Sequence, residues 1–175
     1  NGAMALIGPI VSLVADVETV HKTRPGGIVD NDDHGQMMCR FANGAMGQMY
    51  FSRISHGRKM GYAYEITGTK GAIKFDQEDQ NALWFYSADE PEATRGFRKI
   101  LTGPAHPDYV NFCQGAGHGT GYQDQILIEA RDFLHVIETQ VPVWPTFQYG
   151  LDVAQVIAAA MASSTTKSWV NIATE

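Results

Sequence analysis

Apolar and polar residues alternate over much of the first hundred positions, and a period of two predicts β-strands. Along residues 35–41, Met37 and Cys39 point to one side, whereas the residues between them point to the other. Asn43-Gly44 follows, a dipeptide that favours a two-residue type I′ hairpin. The alternation then resumes, so we predict an antiparallel pair of strands on either side of this dipeptide.

Other strands are predicted where short β-branched or aromatic runs end at Gly, Pro or Asn. Together with 35–41, the predicted strands cover residues 10–21, 46–54, 62–67, 72–75, 83–86, 96–101 and 169–172. Most of them are joined by hairpins. The pattern therefore predicts one large open sheet that is mostly antiparallel.

The period changes after Gly121. From Ile126 to Ile137, apolar residues recur at spacings of three and four, which marks one face of a helix. Thr120 and Gln123 are spaced as in a capping box at its start. A second helix is predicted over 150–163. Strands first and helices afterwards indicate an α+β fold, with both helices on one face of the sheet.

The other face of the sheet is predicted to be apolar as well. Met38 lies beside Cys39 and Tyr50 beside Met49, so large apolar side chains occupy both registers. Five of the seven methionines fall between positions 37 and 60. A sheet that is apolar on both faces needs a cover on each. We predict that a second copy of the chain covers the face without helices; long loops folding over it are the alternative.

Length and composition narrow the class of protein. The 175 residues fit one domain over 1–175, and the net charge of −6 argues against a nucleic-acid partner. No apolar run approaches the ~20 residues that cross a bilayer, so we expect no membrane association. Cys39 and Cys113 show no CxxC pattern, which favours a reducing, cytoplasmic setting. The first residues resemble the last turn of a helix, so we expect a fragment of a longer chain.

The glycine-rich run 115–121 precedes a helix, where a phosphate could bind. A dinucleotide fingerprint needs glycine at its first, third and sixth positions, and the sixth residue is Thr120 or Tyr122, depending on the start. The run is therefore not a nucleotide loop. Its glycines allow close approach to another ligand, which His118 or Tyr122 would contact; a merely structural loop is the alternative.

The remaining candidates are weaker. The acidic run 30–33 lacks the carboxylate that a calcium loop needs at its twelfth position, so a solvated loop is expected. The histidines lack metal-ligand spacing, and we predict no metal site. A basic group at 53–59, which includes Arg58, could meet a polyol or a cofactor phosphate, although a solvated strand end is the alternative.

Residues 57–76, GRKMGYAYEITGTKGAIKFD, resemble the glucose–fructose oxidoreductase / inositol dehydrogenase / rhizopine-catabolism (Gfo/Idh/MocA) family. The other matches follow in the family's order, and the resemblance covers essentially the whole chain. They are Leu6 to Ile10, Ser52-Arg53, Asn81 to Leu83 before Tyr86, Gly96 to Arg98, Gly117 to Tyr122, and Pro145 to Phe147 leading to Gly150-Leu151.

The resemblance implies a C-terminal α+β domain whose sheet supports oligomerisation and walls the substrate pocket, behind an N-terminal Rossmann domain that this chain lacks. Family members oxidise a secondary alcohol of a sugar or inositol and pass hydride to NAD or NADP. The chain contains neither the family's Glu-Lys-Pro motif nor its Asp/His pair on a helix. We therefore expect no catalytic residue here, no cofactor bound by this fragment, and no activity of the fragment alone.

Five residues are implied as the substrate-binding set: His118 and Tyr122, with Arg58, Met60 and Tyr62 as weaker candidates. The expected partners are a small polyol or sugar and further copies of the chain, in a homodimer or homotetramer. A non-catalytic sugar-binding or scaffold module is the alternative function. A relative that hydrolyses glycosides through NAD chemistry is a third.

Overall fold

The computed structural model describes residues 1–115 and 117–172, which form two compact units. The first unit comprises Asn1–His56 and Trp144–Glu175, and the second comprises Gly57–Val143. The single domain expected over residues 1–175 stays a prediction.

Each unit combines an antiparallel sheet with helix. The first unit contains α1 (Gly2–Ile7), β1 (Ile10–Glu18), β2 (Thr23–Arg24), β3 (Gly27–Ile28), β4 (His34–Phe41), β5 (Met46–Ser52), α3 (Phe147–Thr166) and β10 (Val170–Asn171). The second contains β6 (Ala63–Thr67), β7 (Gly71–Asp76), β8 (Ala82–Ser87), β9 (Arg98–Leu101) and α2 (Tyr122–Thr139), with short 3₁₀ helices at Gln77–Asp79 and Tyr109–Asn111.

The strands pair as two four-stranded sheets, in the orders β10-β1-β4-β5 and β6-β7-β8-β9, with β2 and β3 as a small ribbon. Every pairing is antiparallel. The α+β class and the antiparallel arrangement are thus confirmed. One large sheet was predicted, whereas the described residues form two four-stranded sheets, one with β5 at its edge and the other with β6 at its edge. The chain between these strands contains Gly57 at φ +85°, a conformation that interrupts an extended run.

The core of the first unit lies between its sheet and α3. The alternation predicted for β4 is confirmed, because Met37 and Cys39 are buried while Met38 is exposed. Leu13 of β1 lies in the centre of this core and has no exposed surface. Small residues of α3, among them Ala159, pack in the same cluster. Burial of this apolar face is the main source of the unit's stability.

Two serines of α3 complete the hydrogen bonding of β1. The short strand β10 pairs with β1 only at Ser12 and Leu13. Beyond that point the backbone N–H of Ala15 donates to Ser163 Oγ, and that of Val17 donates to Ser164 Oγ, both at 2.9 Å. The helix therefore supplies the acceptors that a longer edge strand would otherwise provide.

The turn between β4 and β5 lies where it was predicted but has a different geometry. Gly44 N–H donates to Phe41 O at 3.0 Å, and Phe41 N–H donates to Ala45 O at 2.9 Å. Only Gly44 has a positive φ, +88°, whereas a type I′ turn needs two such residues. The loop is therefore a three-residue one. Two contacts of the Asn43 amide hold this geometry, since it donates to Ile7 O, 36 positions away, and accepts from Ala45 N–H, both at 3.0 Å.

Helix α2 forms where the apolar period predicted it, but its start and its packing differ. The carboxylate of Asp124 accepts a hydrogen bond from Gly121 N–H at 2.7 Å, in place of the expected pairing of Thr120 with Gln123. No described residue of α2 is buried, and Phe133 is 65% exposed. Of the two helices expected to cover a sheet, α3 does so, whereas α2 keeps its apolar face open within the second unit.

The acidic run 30–33 was expected to be a solvated loop, and this is wrong for Asp33. Asp33 is only 3% exposed, and its carboxylate accepts hydrogen bonds from Val20 N–H and His21 N–H at 2.8 and 3.0 Å. These bonds hold the pKa of Asp33 below its ordinary value. The carboxylate is a structural anchor for the chain that leaves β1.

No helix among the described residues is both long and apolar enough to cross a bilayer.

Candidate functional site

The connection between β7 and β8, residues 77–81, organises the region where the sequence places the substrate. It opens with a 3₁₀ turn that forms because Asp76 Oδ1 accepts a hydrogen bond from Glu78 N–H at 3.0 Å. Two loops bind to this connection. Residues 57–62, which we call the first site loop, precede β6. Residues 117–122, which we call the second site loop, end at Tyr122, the first residue of α2. All five predicted substrate-binding residues lie in these loops.

Glu78 holds the first site loop. Its Oε1 accepts hydrogen bonds from Lys59 N–H at 2.7 Å and Met60 N–H at 3.3 Å. Its Oε2 accepts one from the Arg58 guanidinium at 2.7 Å. Led by the bond from Lys59, these contacts lower the pKa of Glu78 to about 2. Arg58 is thus engaged in an ion pair, and its predicted contact with substrate stays a prediction.

The bonds to Glu78 should make the first site loop sensitive to acid. The pKa of this carboxyl falls from 4.5 to about 2 on folding, so the stability that it contributes is complete above 4.5 and is lost as the pH falls through about 2. We expect the amide resonances of Lys59 and Met60 to shift in an NMR titration over this range. A Glu78→Gln chain should show no such transition, and an identical titration in that variant would contradict the assignment.

Asn81 and Gln80 hold the second site loop at Thr120. Asn81 Oδ1 accepts from Thr120 N–H at 2.8 Å, and Asn81 Nδ2 donates to Thr120 O at 3.0 Å. Gln80 Nε2 donates to the same oxygen at 2.7 Å. Thr120 is only 5% exposed. The loop is therefore fixed by a buried residue that lies between the two residues predicted to contact substrate.

Those two residues remain open. His118 is exposed and Tyr122 is 60% exposed. Neither side chain has a hydrogen-bond partner within the described part of the chain. In the first loop Tyr62 is half-exposed, and its ring packs edge-on against Tyr64 at a centroid distance of 6.0 Å. Met60 is also half-exposed. An imidazole, a phenol and an aromatic face are groups that can bind hydroxyls and the C–H surface of a small polyol.

The described residues of the glycine-rich run do not fit a dinucleotide. Ala116, in the middle of the glycine-rich run, lies outside them. On its N-terminal side the run follows the 3₁₀ helix Tyr109–Asn111 rather than a strand. The Gly121 N–H that would face a phosphate already donates to Asp124, whose negative charge opposes an anion at this helix end. The start of α2 therefore does not fit the phosphates of a dinucleotide.

The resemblance implies an Asp/His pair spaced as HxxxD or DxxxH, and this spacing occurs once in the sequence, from Asp30 to His34. The structure places it in a loop that enters β4 instead of on a helix. A shared helix face is what brings two side chains four residues apart together. The spacing alone therefore does not define an acid–base pair here.

Residues 2–74 match the GFO/IDH/MocA C-terminal domain. A levoglucosan dehydrogenase of Pseudarthrobacter phenanthrenivorans is 39% identical over 148 residues, which are 85% of this chain and 38% of that protein. A solved levoglucosan dehydrogenase in complex with NADH and levoglucosan superposes with a TM-score of 0.95 at 37% identity, covering 99% of this chain and 47% of that one. An NAD binding oxidoreductase from Klebsiella pneumoniae gives 0.90 at 33% identity, covering 99% and 48%.

The fold and these relatives define the class: a C-terminal domain of oxidoreductases. The chain belongs to the GFO/IDH/MocA C-terminal domain family, as its motifs predicted. It spans less than half the length of these relatives.

Sequence reasoning missed the two residues that organise the site, Glu78 and Asn81. Asn81 appeared only as a motif match ahead of β8. Its partner Thr120 lies 39 positions further along the chain. Hydrophobic periodicity gives no information on a polar contact of this range, and an exposed-looking carboxylate such as Glu78 is ordinarily assigned to the surface.

Proposed function

We propose that this chain is the substrate-binding and oligomerisation domain of an NAD(P)-dependent sugar dehydrogenase that oxidises a CH–OH group. The observation that carries the proposal is 39% identity over 148 residues to a levoglucosan dehydrogenase. Solved relatives contain NADH together with levoglucosan or L-sorbose. A sugar or cyclitol is accordingly the proposed substrate class.

In this proposal the domain binds and orients the sugar, and other parts of the intact enzyme carry out the chemistry. His118 and Tyr122 exchange hydrogen bonds with hydroxyl groups, and Tyr62 offers a ring face beside Met60. Arg58 shapes the first site loop through Glu78. NAD or NADP supplies the hydride acceptor and in this proposal is held outside these 175 residues. The hydrogen bond from Gly121 N–H to Asp124 supports this, because it occupies the helix start that would otherwise face a phosphate.

The test compares two proteins, the 175-residue chain and the full-length protein that contains it. Each is incubated with NAD or NADP and with levoglucosan, L-sorbose or myo-inositol, and the appearance of reduced cofactor is followed. We expect turnover by the full-length protein only. Turnover by the short chain would contradict its inactivity. Sugar binding without turnover by the full-length protein would favour a non-catalytic sugar-binding module instead.

The open face of the first sheet supports association with a second copy of the chain. Met38 and Met46 lie on this face, since Met38 pairs with Gln48, two residues beyond Met46 on the same strand. Met46 is 69% exposed, and Tyr50 and Trp169 are also exposed. Met38, Met46 and Trp169 line a shallow hollow. Exposed apolar side chains grouped in this way are typical of a surface that another protein covers.

A charge on this face should dissociate the oligomer. For the double substitution Met38→Lys and Met46→Lys we expect a shift to smaller species in sedimentation at micromolar concentration, because desolvating two ammonium groups opposes burial of the face. The control is Ile28→Lys, on the exposed β2–β3 ribbon, which should sediment like the wild type. A strictly monomeric wild type would contradict the proposal.

The proposed cellular setting is the cytoplasm. Cys39 and Cys113 are both buried free thiols, the state that a reducing compartment maintains.

A further inference from the structure

Both loops that carry the proposed sugar-binding residues are fastened to one short connection, residues 77–81. Glu78 binds the first site loop and Asn81 binds the second. They lie three positions apart, a distance of at most about 11 Å along an extended chain. The geometry points to Glu78 and Asn81 as positioning residues that together set the placement of both site loops against the sugar, an inference that rests on the proposed function.

The side chain of Asn81 binds Thr120 as a neighbouring strand would. Its carbonyl oxygen accepts the Thr120 N–H at 2.8 Å, and its amide nitrogen donates to the Thr120 carbonyl at 3.0 Å. A side-chain amide can do both, because its acceptor oxygen and its donor nitrogen are bonded to the same carbon. Aspartate has the same shape but, when ionised, has no donor. Asn81→Asp therefore removes one of the two bonds and leaves the volume unchanged.

Gly119 lies against the Asn81 side chain, next to the contact between Asn81 and Thr120. A Cβ atom at this position would lie 2.7 Å from the Asn81 side-chain amide, too close for either group to stay in place. The backbone of Gly119 does not have a positive φ, so alanine is conformationally allowed there. A Gly119→Ala substitution thus acts through its collision with Asn81.

Glu78 has a matched control in its neighbour. Its carboxylate binds the backbone of the first site loop at Lys59 and Met60. The adjacent Asp79 carboxylate pairs with Lys99 on β9 at 2.7 Å and contacts neither site loop. Glu78→Gln and Asp79→Asn remove the same charge from neighbouring positions. Only the former weakens the attachment of a site loop.

The kinetic test uses the full-length enzyme, with sugar and NAD(P) varied separately. We expect Asn81→Asp and Glu78→Gln each to raise KM for the sugar by about tenfold, the effect of losing roughly one hydrogen bond. KM for NAD(P) should stay at the wild-type value, because the cofactor is held elsewhere. Asp79→Asn should leave both KM values, for the sugar and for NAD(P), at those of the wild type. A general loss of structure would instead lower kcat and raise both KM values.

A second readout does not depend on turnover. Hydrogen exchange should quicken at Thr120 in Asn81→Asp, because a carboxylate oxygen then faces the Thr120 carbonyl oxygen and repels it. It should quicken at Lys59 in Glu78→Gln, because a neutral amide oxygen accepts the Lys59 N–H more weakly than a carboxylate does, and each effect should be confined to its own loop. In a double-mutant cycle, Gly119→Ala should lower the free energy of unfolding less in the Asn81→Ala background than in the wild type, because the collision with the Asn81 side chain is absent there.

The two proposals fail in different ways. If the wild type turns over no sugar, the proposed function is wrong, and the exchange pattern still decides whether the loops are held by this connection. If the wild type is active but Asn81→Asp and Glu78→Gln leave both the sugar KM and the loop exchange unchanged, the positioning role is overturned. Uniformly faster exchange across the second unit would overturn it as well.

Discussion

Leu13→Ala should destabilise the chain by about 2–5 kcal/mol, the range for removing a fully buried leucine from a core that cannot collapse around the cavity. Leu13 has no exposed surface. It lies on β1 with β10 hydrogen-bonded on one side and β4 on the other, under the face covered by α3. The residues around Leu13 are held by the hydrogen bonds of β10 and β4 and by α3, so they have little freedom to move into the cavity that the substitution creates. Urea unfolding of the wild type and of Leu13→Ala gives the difference in the free energy of unfolding.

Leu6→Ala is the control for this prediction. Leu6 belongs to the same unit and loses the same atoms, but it is 50% exposed. Much of its surface is in water in the folded state, so we expect a loss below about 1 kcal/mol. Equal losses in the two variants would show that Leu13 is not the centre of the core.

Ser163→Ala should destabilise the chain by about 1–3 kcal/mol, the cost of leaving a buried hydrogen-bonding group without a partner. Ser163 is completely buried, and its oxygen accepts the Ala15 N–H at 2.9 Å while its hydroxyl donates to Ser168 O at 2.7 Å. Alanine fills nearly the same space but offers neither group. Since Ala15 is itself buried, its N–H is left without an acceptor.

Ser164→Ala provides the comparison, because Ser164 makes the equivalent bond to Val17 N–H at 2.9 Å from a half-buried position. Water can replace this hydroxyl, so the loss should be under about 1 kcal/mol. Thermal unfolding of both variants measures the difference. If Ser164→Ala were as destabilising as Ser163→Ala, burial would not be the cause.

Local patterns in the sequence were sufficient to predict the strands and helices. The alternation of β4 predicted that Met37 and Cys39 would share one face and that Met38 would lie on the other, because side chains along a strand alternate every two residues. The apolar period from Ile126 to Ile137 predicted α2 for the equivalent reason. The motifs between Gly57 and Asp76 predicted the family. Each signal lies within a short stretch of chain.

The partners of those elements could not be predicted in the same way. The apolar face of α2 was expected to cover a sheet, yet none of its residues is buried in the second unit. The apolar period of an amphipathic helix predicts that one face is buried, but it does not predict which element or partner buries that face. The predicted hairpin at Asn43 took another turn type because its amide binds Ile7, which lies far back in the chain.

The sequence by itself determined the α+β class, the strands and helices, the family, and the two loops in which the sugar is expected to bind. Only the tertiary structure decided how those loops are held. Glu78 binds a loop that precedes it in the chain, and Asn81 binds a loop that follows it, at Thr120, 39 positions further along. Polar contacts of this kind depend on which backbone groups folding brings within about 3 Å of one another, and this is a property of the folded chain rather than of any local pattern.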